Sequence, residues 1–180
     1  SALGPLGEYM TDAVQRTILF WDVLRQRSDQ YYEQRALDVP HVLSFDAELV
    51  LDARTFDKPV NYLLVRVKPP QGMVVDPVKR PFVVVDPRAG HGPGIGGFKE
   101  ESEVGVALSA GHPVYFVIFF PDPMPGQTLA DITDAEAEFI RIVVERHPHS
   151  QKPVIDGNCQ GGWAVMMLAA ARPDIAGPLV

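Results

Sequence analysis

The sequence predicts an α/β domain built on a mostly parallel sheet, and three observations point that way. FVVVD (82–86) and PVYFVIFF (113–120) are continuously apolar, as strands buried on both faces are. Helical patterns near 98–110, 134–147 and 162–172 alternate with these strands. Ahead of them, residues 45–52 and 60–68 flank the turn-like ARTFDKP, which predicts an antiparallel hairpin.

In chain order, residues 6–37 read as one long helix. Leu6, Met10, Ala13, Thr17, Phe20 and Leu24 recur at three- and four-residue steps and form an apolar stripe. Asp12 and Arg16 stand at i,i+4 on the other side. The polar face is too mixed in charge for an anionic membrane, so the stripe is expected to pack on the main domain. In the hairpin, Phe45, Ala47, Leu49 and Leu51 share one face of the first strand, and Leu63, Val65 and Val67 one face of the second. The helix at 134–147 opens with Thr133 and Glu136 in capping-box spacing. A short strand PVID (153–156), a glycine-flanked cysteine, the helix at 162–172 and the start of a strand at 178–180 follow. The organisation expected is a helical segment over 1–40 and a sheet domain over 41–180.

Composition narrows the function. At 180 residues and 46% hydrophobic content, the chain has enough for one ordinary core. No apolar run reaches the ~20 residues of a membrane span, and SALGPLGEYM lacks the basic start and apolar core of a secretion signal. The single cysteine, Cys159, cannot form an internal disulfide, which fits a cytoplasmic protein. A net charge of −7 without a basic cluster argues against nucleic acid as partner. The five histidines are scattered without ligand spacing, so no metal is expected, and no cofactor site is recognisable. A small-molecule or acyl substrate is the better prior.

Gly157-Asn158-Cys159-Gln160-Gly161 matches a nucleophile elbow, G-x-Nu-x-G, between a predicted strand and a predicted helix. A nucleophile there sits in a strained turn, and the following helix aims its first amides at the same point. The Gln160 amide can bind a developing oxyanion. A core cysteine would more naturally lie inside the strand or the helix than at the apex of a glycine turn.

Ligands of open parallel sheets bind beyond the carboxyl ends of the strands. His112, His147 and His149 precede their strands and so fall at the opposite edge, and His41 precedes the hairpin. Only His91, in DPRAGHGPGIGGF, shares the edge with Cys159, together with Asp86, Asp122 and Asp156. Gly90, His91 and Gly92 are the expected second source of oxyanion donors, with His91 supporting that loop rather than acting as base. The same loop satisfies G-x-G-x-x-G from Gly92 to Gly97, a dinucleotide fingerprint. Against that reading, the match begins well after the strand end, Pro93 lacks an amide, and Lys99-Glu100-Glu101-Ser102-Glu103 would open the next helix with acids.

The helix EYMTDAVQRTILFWDVLRQRSDQYYE, the loop DPRAGHGPGIGGFK, the strand AGHPVYFVIFFPDP and the elbow DGNCQGGW together resemble the poly(3-hydroxyalkanoate) synthase-related group of α/β-hydrolase-fold proteins, in particular its 3-hydroxyalkanoate synthetase-like bacterial branch. The resemblance implies an α/β-hydrolase-type sheet and a cysteine that carries an acyl group as a thioester. It also implies a triad aspartate and histidine on strands after the elbow. The function expected is acyl transfer on a hydroxyacyl thioester or ester, a coenzyme A thioester being one such substrate. Esterase or thioesterase hydrolysis and a non-catalytic scaffold are the alternatives. Gln160 departs from the small or apolar residue that synthases place after the cysteine. No residue here can be assigned to the triad acid or histidine, so the chain is expected to be the N-terminal part of a larger enzyme, cut after the elbow helix.

Overall fold

The computed structural model describes residues 4–36, 43–87 and 94–180, so His41, Gly90, His91 and Gly92 lie outside the described residues. The chain divides into two compact units, Ser1–Pro40 and His41–Val180.

The described residues of the first unit form one helix, α1 (Pro5–Ala36). Asp12 and Arg16 pair at 2.8 Å as their spacing predicts, and Arg25 bridges Asp22 and Asp29 at 3.1 Å each. These pairs are exposed, and each adds at most about 0.5 kcal/mol.

The second unit is a five-stranded sheet of β1 (Ala47–Asp52), β2 (Tyr62–Val67), β3 (Phe82–Val85), β4 (Val114–Phe119) and β5 (Val154–Gly157), in the order β1-β2-β4-β3-β5. β2 is antiparallel to both β1 and β4, whereas β3 is parallel to β4 and to β5. Leu179 adds a parallel bridge to Ile155 on the outer side of β5, where PLV is expected to begin a strand. This is the α/β-hydrolase type of sheet. Its helices are α2 (Glu103–Ser109), α3 (Leu129–Arg146) and α4 (Gln160–Ala171). Val104, Ala107 and Leu108 of α2 cover one face, against Val84 and Phe116. On the other face, Phe139 and Ile140 of α3 and Val165 and Leu168 of α4 meet Val83, Val85 and Tyr115. Burial on both faces is why β3 and β4 read as unbroken apolar runs.

β2 keeps its expected face: Leu63, Val65 and Val67 pack together with the α2 cluster, while Tyr62 and Leu64 turn to the other side, against α3. Three expectations shift. The alternation of β1 is interrupted by a register shift between Leu49 and Leu51, so Leu51 no longer follows the face of Ala47 and Leu49, and Leu49 itself is 60% exposed. The capping box belongs to Thr128 and Asp131, with both reciprocal bonds made, so α3 starts earlier than expected. Thr133 is inside the helix, its hydroxyl donating to the Leu129 carbonyl at 3.0 Å. Finally, α2 begins only at Glu103, with Ser102 as its cap. A short 3-10 turn, Ile95–Gly97, occupies part of the preceding stretch.

Candidate functional site

The site is built where β5 meets α4. Cys159 has φ 54° and ψ −119°, and it is the only non-glycine residue at positive φ among the described residues. An L side chain in such a region costs on the order of 1–3 kcal/mol and persists only when its surroundings over-determine it. Here they do. The Gly161 amide donates to the Asn158 carbonyl at 2.9 Å and the Gly162 amide to the Cys159 carbonyl at 3.1 Å, closing the turn into the helix. The Cys159 side chain makes no capping bond to α4, and it is exposed. Gln160 is the first helical residue, so its N–H has no intrahelical acceptor.

The flanking glycines are required by space rather than by their own conformation, since neither Gly157 nor Gly161 has positive φ. A Cβ on Gly157 would come within 2.6 Å of the Gly161 carbonyl oxygen, and one on Gly161 within 2.8 Å of the Val85 carbonyl oxygen. Gly162, which lies outside the five-residue pattern, is under the same constraint: its Cβ would sit 2.8 Å from the Gly157 carbonyl oxygen. The Gly161-Gly162 doublet is the sequence signal for that extra contact.

The pairing of Val85 with Gly157 brings the end of β3 beside the elbow. Asp86 follows at once, buried, its amide held by the Val117 carbonyl at 3.0 Å and its carboxylate accepting the Gly94 N–H. Asp156 is buried one residue before Gly157, and its carboxyl is pushed up by burial. Glu103, at the start of α2, is pushed up as well, first by burial and then by the negative charges of Asp156 and Asp86. Sequence reasoning treated Glu103 only as part of an acidic helix start. Its convergence with two strand-end aspartates needs the tertiary fold.

Gly94, Gly96 and Gly97 do not open a phosphate-binding helix. Added Cβ atoms there would strike Leu43, Phe116 and Val84, or Leu43 and Val104, so these glycines make room for the protein's own atoms. The histidines that are described lie at the other edge. The His112 Nδ1–H donates to the Arg80 carbonyl at 2.8 Å, while His147 lies beneath β4 against Tyr115. Among the described residues no group of three His, Cys, Asp or Glu side chains is poised to hold a metal ion, and no helix is long and apolar enough to cross a membrane. A shallow cavity of about 400 Å³ lies between Phe56, Lys58 and the first turns of α3, and no elbow residue lines it.

A protein of Rhizobium meliloti described as an "Uncharacterized protein in ackA 5'region" is 60% identical over 173 residues, covering 96% of this chain and 24% of that protein. The chain therefore spans about a quarter of that relative's length. Among solved structures, 2-hydroxy-6-oxo-6-phenylhexa-2,4-dienoate hydrolase of Rhodococcus sp. strain RHA1 is 15% identical, with 74% of this chain and 46% of that one covered at a TM-score of 0.43. Naproxen esterase of Bacillus subtilis is 13% identical, with 83% and 47% covered at a TM-score of 0.43. Residues 12–180 match the model of one family, and the chain belongs to it: DUF3141, described as a protein of unknown function.

Proposed function

We propose that this chain supplies the nucleophile elbow of an acyl-transfer enzyme acting on a hydroxyacyl thioester or ester. The observation that carries the reading is the conformation of Cys159. A glycine at φ 54° would be free of the strain, yet the position holds an exposed thiol at the open N-terminus of α4. In the proposed step Cys159 Sγ attacks the carbonyl carbon, an S–C bond forms and the C–S or C–O bond of the substrate breaks. The thiol proton leaves with the departing thiol or alcohol. The Gln160 amide, with donors from the Gly90–Gly92 segment, would hold the oxyanion.

The described histidines stand at the far edge of the sheet, and this proposal assigns the base to a histidine beyond residue 180. That same observation favours a second reading, a hydrolase-fold scaffold without turnover. The test is to incubate the full chain with a 3-hydroxyacyl coenzyme A and follow free thiol and acyl product. Thiol release that is lost in Cys159→Ala supports the enzyme. Free acid as product then identifies hydrolysis, and an oligoester or acylated acceptor identifies transfer. Absence of Cys159-dependent thiol release overturns the proposal in favour of the scaffold.

A further inference from the structure

We infer that the amino edge of the sheet carries a docking surface for an acidic polypeptide segment, formed by Lys79, Arg80, Arg146 and Lys152. The inference is independent of chemistry at Cys159. These residues belong to two connections, the one that enters β3 and the one that runs from α3 into β5. They stand far apart in the sequence, which is why no basic cluster is legible there. The fold joins them. Phe82 is in register with Val154, and the Val154 amide donates to the Pro81 carbonyl at 2.9 Å. The His147 Nδ1–H donates to the Pro77 carbonyl at 3.2 Å, and the Ser150 hydroxyl to the Val78 carbonyl at 2.8 Å.

Other cations of the same unit are matched with acids: Arg54 with Asp52 at 2.7 Å, Lys58 with Asp131 at 3.4 Å and Arg172 with Asp174 at 2.8 Å. Among the described residues, Lys79, Arg80, Arg146 and Lys152 form no such pair, and neutral groups hold their heads instead. Lys79 Nζ donates to the Ala110 carbonyl at 2.6 Å, the Arg80 guanidinium to the Gln151 side-chain oxygen, and Lys152 Nζ to the Pro173 carbonyl at 3.5 Å. Arg146 stands beside the Tyr115 hydroxyl. A neutral acceptor orients a cation without cancelling its charge, which leaves the field for a partner.

The acids close by are already engaged. The Asp76 carboxylate accepts the Val78 N–H at 2.9 Å, Glu145 is bound by Arg141, and Asp174, within range of the Lys152 charge, is bound by Arg172. Burial depresses the His147 ring most, and the charges of Arg66 and Arg146 depress it further. This edge is positive in a chain whose net charge is −7.

That contrast selects the partner. Lys79, Arg146 and Lys152 are exposed, so a ligand lies along the surface. Same-face carboxylates of an extended acidic segment recur about every 7 Å, a spacing that long cationic side chains on adjacent strand entries can match. A nucleic acid would carry its phosphates past the patch onto a surface of net negative charge.

The test titrates the full chain into fluorescein-labelled hexaglutamate at low salt and follows anisotropy. Saturable binding is expected, weakened about tenfold in the double variant Lys79→Gln with Lys152→Gln. Lys58→Gln with Lys99→Gln removes the same charge elsewhere and should change binding by no more than about twofold. At about 150 mM salt, where screening acts over about 8 Å, binding should weaken several-fold. Lys152→Gln alone gives up one long bond to a carbonyl, and its expected loss of about threefold decides the matter if the double variant does not fold. Absence of saturable binding overturns the inference, as does an equal loss in the two double variants, which would place the peptide away from this edge. Tighter binding of a labelled single-stranded oligonucleotide than of the peptide overturns the choice of an acidic polypeptide and makes the edge a nucleic-acid surface.

Discussion

The two edges of the sheet handle polar groups in opposite ways. At the amino edge, the Tyr115 hydroxyl donates to His147 Nε2 at 3.0 Å, and the His147 Nδ1–H donates to the Pro77 carbonyl at 3.2 Å. Ser150 donates to the Val78 carbonyl at 2.8 Å and His112 to that of Arg80. These groups tie the connection before β3 to the strands and helix behind it. At the carboxyl edge the chain holds a residue at φ 54°, an uncapped helix start and three converging acids. One edge spends its polar atoms on stability, while the other accepts strain and repulsion. Unstable arrangements that persist concentrate at functional sites, which is why the histidines of the amino edge make poor candidates despite their chemistry.

The comparison breaks most directly at the elbow glycines. Gly157→Ala would press a Cβ to 2.6 Å from the Gly161 carbonyl oxygen, and is expected to cost roughly 1–3 kcal/mol by urea unfolding. A cost near zero would show that the turn is looser than described. Next in size is the strain at Cys159 itself. Cys159→Gly is expected to be more stable than Cys159→Ala by about 1 kcal/mol, since both lose the thiol and only alanine keeps a Cβ at positive φ. Equal stability would remove the strain from the account. At the amino edge, Tyr115→Phe should cost about 1 kcal/mol by leaving buried His147 Nε2 without its donor. It should leave Cys159 alkylation unchanged.

The smallest effect separates the edges by pH. Burial holds His147 below the ordinary imidazole value, so its contribution to stability is complete above about pH 6.5 and is lost as pH falls below it. Glu103 and Asp156 are held above ordinary carboxyl values, so their contribution is present in acid and lost as pH rises through their folded-state values. Glu103→Gln should therefore raise Tm more at pH 7 than at pH 4. His147→Gln should flatten the loss of stability between pH 6.5 and 5.

Much of this was legible in the sequence because it rests on local chemistry. Continuous apolar runs revealed β3 and β4, and the glycine spacing around Cys159 revealed the turn between β5 and α4. The His112 and His147 positions relative to their strands were enough to send them to the amino edge. The misses have a common cause in long-range packing. The register shift in β1 depends on its pairing with β2, and nothing in AELVLD announces it. The true capping box, Thr128 and Asp131, has the spacing of the expected one but uses Asp, and the later Thr133–Glu136 pair obscured it. The elbow glycines supply clearance from Val85 and from one another, which the G-x-Nu-x-G spacing alone does not reveal. Asp86 and Glu103 could not be joined without knowing that β3 and β5 are neighbours and that α2 starts beneath them.

The central claim is that the strained cysteine, rather than any group of the amino edge, is where chemistry occurs. Peptide mapping of the full chain after brief exposure to a 4-nitrophenyl 3-hydroxybutyrate ester tests it most directly. The account predicts one acyl adduct, on the peptide containing Cys159, released by neutral hydroxylamine as a thioester is, and absent from Cys159→Ala. An adduct on His112, His147 or Tyr115, or none on Cys159 while the thiol remains free to alkylate, would contradict it.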